Sequence, residues 1–352
     1  MMKINKVRVV RWDITQNCNL NCIHCLHPQQ GDTYIPLQQM TPILNNLKKM
    51  GLKQVNLSGR EPTTHPQILE IIEWCKKEAL EITLNTNGSF LPITEFRKLL
   101  NLNLNSVTFS LDGVDGNTYQ RIRGKNYFES VKNTIKESTH LVKENGLPTT
   151  ICINFTLNSL NINTDPSSLL ALAQDLNIQR LEINPLMKIG RAYQHWDVLS
   201  VTDKQLFHFW ERTIISWKDH NYNYQLLLGC RAQEYHCLKH KHAVSIIDPT
   251  FSHCNATDTI YLDYHAKVSP CFLLSHIMHN ENIPWSFLAT PETTLEQINT
   301  KFKDFFIFVE KHQDNNCHDH RDCHKDHCET CPIIETLYPE IPSPSLPPSL
   351  LL

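Results

Sequence analysis

Residues 7–25 read VRVVRWDITQNCNLNCIHC. The first part, 7–14, is rich in β-branched and aromatic residues and predicts a strand. The second part is an Asn-rich loop that carries Cys18, Cys22 and Cys25 in a C-x3-C-x2-C spacing. A strand running directly into such a loop is how a parallel barrel presents active groups at the carboxyl ends of its strands. Thiolates hold iron-sulfur clusters, and a metal site that keeps one position open does chemistry on an outside molecule. Zinc remains an alternative at this point, because His24 and His27 stand near enough in sequence to complete a four-ligand set.

The pattern downstream extends the same fold. Strands are predicted over 54–57, 82–85, 106–111, 150–155 and 180–184, alternating with helices over 36–50, 68–77, 94–100, 129–144 and 167–176. The first helix carries Leu37, Met40, Ile43, Leu44 and Leu47 at helical spacing, and Gly51 ends it. Such alternation means parallel strands with right-handed crossovers. The expected class is α/β: a partial (β/α)6 TIM-like barrel over 1–200, then a bridging helical region over 201–229. A small cysteine-rich domain is expected over 230–338 and a disordered Pro- and Ser-rich tail over 339–352.

Composition narrows the classes. The 352 residues carry a formal net charge of −3 and no basic stripe, so nucleic acid is not an expected partner. No apolar run reaches membrane-spanning length and no secretory signal precedes the first strand, so a cytoplasmic location and no membrane partner are expected. Thirteen cysteines in that setting point to reduced thiols and metal rather than disulfides. Cys75 falls in a predicted helix and Cys152 in a predicted strand, where a thiol behaves as a small buried hydrophobe. The other eight outside the first triplet lie between Cys230 and Cys331.

The stretch 17–25, NCNLNCIHC, resembles the signature of radical S-adenosylmethionine (SAM) enzymes. Further motifs resemble that family in its own order along the chain. Leu57-Ser58-Gly59-Arg60-Glu61-Pro62-Thr63 is similar to the SGGEP turn, with Arg60 where the second Gly stands. Were that position at positive φ, Arg60 would be strained. Asn85-Thr86-Asn87-Gly88 resembles the turn after the third strand, and 107–113 resembles the fourth strand with its SLDG ending. The resemblance implies a four-iron cluster on Cys18, Cys22 and Cys25 with SAM on its open iron, and His24 packed against the cluster. It gives Glu61 the SAM amino group, Ser110 the ribose or carboxylate, and Arg123, chosen over Arg121, the carboxylate. Asn154, Pro185 and Gly190-Arg191-Ala192 are where the family touches adenosine.

The carboxyl-terminal cysteines resemble a SPASM or twitch domain. The segment from Cys254 to Cys271 is similar to its cluster-bearing hairpin, with Ala266 in place of a Gly. Cys317, Cys323, Cys328 and Cys331 resemble its knuckle with each gap altered. The resemblance implies one or two auxiliary four-iron clusters, to which Cys230 or Cys237 would add ligands. His318, His320, His324 and His327 keep zinc open as an alternative there.

The implied activity is reductive cleavage of SAM to a 5′-deoxyadenosyl radical that abstracts a substrate hydrogen. The expected substrate is a ribosomally made peptide or protein that becomes crosslinked, oxidised or epimerised. A small molecule such as a sugar, an aminoglycoside or a tetrapyrrole is the nearer alternative, and a non-catalytic iron-sulfur or zinc protein the more distant one. The resemblance also implies a reductase or a flavodoxin or ferredoxin as electron donor. Because few residues precede Cys18, a leader peptide is expected to need a separate binding protein or direct contact.

Overall fold

The computed structural model describes residues 2–27, 31–220, 222–229, 238, 242, 257–272, 274 and 285–313. Cys230, Cys237, Cys254, Cys317, Cys323, Cys328 and Cys331, the four knuckle histidines and the tail lie outside the described residues. The alternation expected from the sequence is present. Strands β1 (Val9–Asp13), β2 (Gln54–Ser58), β3 (Glu81–Thr86), β4 (Ser106–Ser110), β5 (Thr150–Leu157) and β6 (Arg180–Pro185) lie side by side in chain order, every pair parallel. Between them run α1 (Leu37–Lys49), α2 (Ile68–Lys77), α3 (Ile93–Leu100), α4 (Gly116–Arg123), α5 (Phe128–Glu144) and α6 (Pro166–Asp175).

Period-two alternation decides which strand face meets the helices. Trp12, Leu57, Leu84, Phe109, Ile153 and Ile183 are fully or almost fully buried, in one core with Met40, Leu44, Ile71, Leu99 and Leu169 of the helices. The alternate residues form the opposite face and are amides, hydroxyls and charges: Arg11, Asn56, Thr83, Thr108, Asn154, Glu182 and Asn184. In register, Arg11 stands opposite Asn56, Asn56 opposite Thr83, and Asn154 opposite Glu182.

Two features depart from the expected layout. The helix α4 was not predicted, because it is short and mostly polar. Its boundaries are nonetheless encoded: Asp115 caps it, accepting from the backbone N–H of Asn117 and Thr118 at 2.9 Å each, and Gly124 ends it in the left-handed conformation. Secondly, the sheet exceeds the six expected strands. After α7 (Gly190–Gln194), α8 (Trp196–Leu199) and α9 (Asp203–His220), the stretch expected to be a helical bridge supplies β7 (Gln225–Leu228), which joins β6 in parallel. On the other edge β8 (Thr259–Leu262) pairs with β1 in parallel. The strands β9 (Lys267–Ser269) and β10 (Phe287–Leu288) continue antiparallel, giving one ten-stranded sheet. The helix α10 (Leu295–Gln313) packs Ile298, Phe302, Phe305 and Phe306 into the same core.

The β8–β9 hairpin is the segment that resembled a SPASM or twitch hairpin. Its tight turn explains the altered glycine: Ala266 sits at φ 59°. That conformation suits glycine and costs an L-residue about 1–2 kcal/mol. Asp263 offsets part of the cost by accepting from the backbone N–H of His265 and Lys267 at 2.8 Å each. No helix among the described residues is long and apolar enough to cross a membrane.

Candidate active site

The three-cysteine loop leaves β1 at its carboxyl end, and neighbouring turns hold it on two sides. From the β2 side, Arg60 N–H donates to Thr15 O at 3.3 Å and Glu61 N–H to Asn17 O at 3.0 Å. This close approach requires Gly59, which has φ 129° and whose hypothetical Cβ would lie 2.8 Å from Thr15 O. Arg60 is not among the positive-φ residues, so the strain expected of it is absent. The left-handed position of the turn belongs to Gly59. From the far side, Arg191 N–H donates to Cys25 O at 2.9 Å, and a Cβ on Gly190 would sit 2.0 Å from Leu26 O.

Each cysteine sulfur receives one side-chain N–H. Asn87 Nδ2 lies 3.8 Å from Cys18 Sγ, Arg123 3.8 Å from Cys22 Sγ and Arg60 3.9 Å from Cys25 Sγ. Burial, with Glu61 second, pushes the Cys18 thiol up to about 12, and burial pushes Cys22 up to about 11 despite Arg123. Such thiols stay protonated until a metal draws out the thiolate. Three sulfurs that each meet an N–H donor fit a thiolate-bound iron-sulfur cluster, whose sulfurs accept hydrogen bonds. The zinc alternative fares less well at this loop. His24 faces Asp112 at 2.9 Å, and His27 faces Asp13 at 3.6 Å. Among the described residues no three His, Cys, Asp or Glu side chains gather as a single ion needs.

The structure places the other expected site residues as follows. Glu61 is fully buried. Its carboxylate accepts from Thr63 N–H at 3.1 Å, Thr63 O–H at 2.5 Å, Thr86 O–H at 2.7 Å and Asn87 N–H at 2.7 Å. It therefore clasps the β2 turn to the β3 turn. Arg123 directs its guanidinium to Asp112, in an ion pair, and to Cys22. Burial works to raise the Asp112 carboxyl, but Arg123 and His24 outweigh it and hold the group at about 2. Ser110 ends β4 in register with Asn154, whose Oδ1 accepts from Asn184 Nδ2 at 2.6 Å. Cys271 and Leu26 of the signature loop both pack against Ile189. It is the one residue of the carboxyl-terminal ligand set inside the described residues.

Sequence reading did not single out Asp112, Asn87 or Asn184 for these duties. Asp112 and Asn87 stood inside quoted motifs, so position within a motif was their only signal. Asn184 had none, since its role depends on cross-strand register.

Residues 12–160 match the model of the Radical SAM superfamily. A "Probable GTP 3′,8-cyclase" of Pyrococcus horikoshii is 34% identical over 134 residues, covering 38% of this chain and 43% of that protein. The mycofactocin maturase MftC of Mycolicibacterium smegmatis is 25% identical over 209 residues, covering 58% of this chain and 50% of that one. The chain thus spans about half the length of these curated relatives. Among solved structures, Streptococcus suis SuiB bound to its precursor peptide SuiA superposes with a TM-score of 0.67 at 15% identity. That likeness covers 85% of this chain and 65% of SuiB, and it extends the shared fold well past the barrel. Motif order, the thiol loop and these matches together support membership of the radical SAM superfamily.

Proposed function

We propose that this radical SAM enzyme acts on a ribosomally made peptide or protein, which it crosslinks, oxidises or epimerises. One observation carries the reading: the three-thiol loop leaves the carboxyl end of β1, in a sheet one of whose faces carries amides and hydroxyls together with the charges of Arg11 and Glu182. Asn56, Thr83, Thr108, Asn154 and Asn184 there supply paired donors and acceptors, which suit a peptide backbone better than an apolar macrocycle. MftC is named a maturase, and SuiB was solved with a precursor peptide.

Bound at Cys18, Cys22 and Cys25, a four-iron cluster with SAM would supply one-electron cleavage to a 5′-deoxyadenosyl radical. The chain's own residues prepare that site. Asn87, Arg123 and Arg60 orient the three sulfurs. Glu61 fixes the β2 and β3 turns, leaving backbone groups of those turns for the SAM amino group. Ser110 and Asn154, adjacent in register, serve the ribose and adenine end. Cys22 and His24 are the buried members of the loop, while Cys18 and Cys25 are half-buried. Cys271, with Cys254, Cys317, Cys323, Cys328 and Cys331, would hold auxiliary iron. A reductase or a flavodoxin- or ferredoxin-type donor would provide the electron in a reducing, cytoplasmic setting, and a separate protein would present any leader peptide.

A second reading, a small polar molecule as substrate, is favoured by the 34% identity to a protein named as a GTP cyclase. Anaerobically reconstituted protein with strong reductant is expected to form 5′-deoxyadenosine, and changing Cys18, Cys22 and Cys25 together to Ala to abolish it. Cleavage persisting in the triple variant overturns the chemistry. With deuterated substrates, label is expected to move from peptide into 5′-deoxyadenosine. Transfer only from a small molecule would replace the peptide reading with the second one.

A further inference from the structure

We infer that Arg60 is a tuning residue of the thiol site: lying against Cys25, it raises the reduction potential of the cluster that the three cysteines would hold. The inference rests on the radical SAM reading above. It starts from a difference among the three sulfur contacts. The donor to Cys18 is the neutral amide of Asn87. The donor to Cys22 is Arg123, whose charge is compensated by the fully buried Asp112. The donor to Cys25 is Arg60, and among the described residues no carboxylate forms an ion pair with it. One of its nitrogens also donates to His27 O at 3.1 Å. Its Nε and Nη1 are buried with no hydrogen-bond partner among the described residues.

A buried guanidinium with open donors is costly unless an anion lies beside it. A thiolate-ligated cluster is such an anion, and it becomes more negative by one charge on reduction. A neighbouring positive charge and N–H donors at a ligand sulfur therefore favour the reduced form. Arg123 contributes less to this balance, because Asp112 cancels its charge locally. Arg60 occupies the turn without backbone strain, and its structural contact through the guanidinium is the one to His27 O.

The test is potentiometric titration of the full chain, reconstituted anaerobically and without SAM, followed by the electron paramagnetic resonance of the reduced cluster. Iron and sulfide content is measured first. Compared at equal iron content, Arg60→Gly and Arg60→Gln are expected to titrate at more negative potential than the parent chain. Arg60→Lys, which keeps the charge, is expected to stay closer to the parent. If Arg60→Gly fails to hold iron, the Lys and Gln variants decide the matter by the same ordering. Equal potentials for the Gln, Lys and parent proteins overturn the inference. Equal potentials combined with weaker SAM binding in Arg60→Gly also overturn it, and assign the side chain to SAM instead. A parent chain that takes up no iron or sulfide overturns the radical SAM reading itself, a result distinct from an unchanged potential.

Discussion

The two sides of the signature loop each bury a carboxylate completely, and they shift the two groups in opposite directions. On the β2–β3 side, Glu61 is surrounded by uncharged donors, and burial raises its carboxyl above the usual range despite four hydrogen bonds. On the β4–α4 side, Asp112 faces Arg123 and His24 and is held at about 2. Both groups have the same depth of burial, so the charge of the partners decides the direction. One side of the loop is thus a neutral clasp and the other an ionic one.

The largest expected effect comes from breaking the ionic side. Asp112→Ala leaves Arg123 buried without a counter-charge and should cost about 3–5 kcal/mol of unfolding free energy, read by urea denaturation of the metal-free chain. A loss below 1 kcal/mol would mean that Arg123 turns out to solvent. The neutral side should yield less. Glu61→Gln sets an amide N–H against one of the donors that the carboxylate now satisfies, costing about 1–3 kcal/mol. A loss equal to that of Asp112→Ala would erase the distinction between the two sides.

Acidity sharpens the comparison, because the two groups contribute with opposite sign. The folded-state value of Asp112 lies below its ordinary 3.8, so its contribution is full above that pH and fades as pH falls toward 2. The span amounts to about 2 kcal/mol. Glu61 is raised above its ordinary 4.5, so its contribution is present below that value and is lost as pH rises through the folded one. Stability measured against pH should therefore lose part of its acid-side drop in Asp112→Asn and part of its decline above 4.5 in Glu61→Gln, since Asp115 and Asp165 are also lowered and Asp263 is also raised. The smallest effect is expected from Asn87→Ala, which removes only partly buried amide contacts, to Cys18, to Asn19 at 2.9 Å and to the N–H and O–H of Ser89 at 2.8 and 2.7 Å. That should cost about 0.5–1.5 kcal/mol, seen as a small fall in the thermal midpoint. An effect larger than that of Glu61→Gln would make Asn87 the centre of the neutral side.

The barrel was legible in the sequence because burying one strand face forces an alternation that any reader can count. Trp12, Leu57 and Phe109 carry that signal alone. The outer strands were less legible. The parallel pairing of β8 with β1 joins Thr259 to Val9, and no local pattern encodes a partner so far away. Within the site, motif positions pointed to Cys18, Cys22, Cys25, Glu61 and Arg123, but spacing could not reveal what the side chains of Glu61 and Arg123 touch. The concern about Arg60 failed for a simple reason: left-handed backbone was needed one residue earlier, at Gly59. The same kind of reading flagged Ala266, where the left-handed conformation does occur.

The pairing of β1 with β8 also bears on how this chain is made. During synthesis, β1 and the thiol loop emerge long before β8, so one edge of β1 waits for residues 259–262 before it has that partner. The amino-terminal segment likewise waits for α10, where Ile4 N–H donates to Asn299 Oδ1 at 2.8 Å. A nascent chain at that stage offers an unpaired Val- and Trp-bearing edge to any other strand it meets. Its folding is therefore non-local and slow to close.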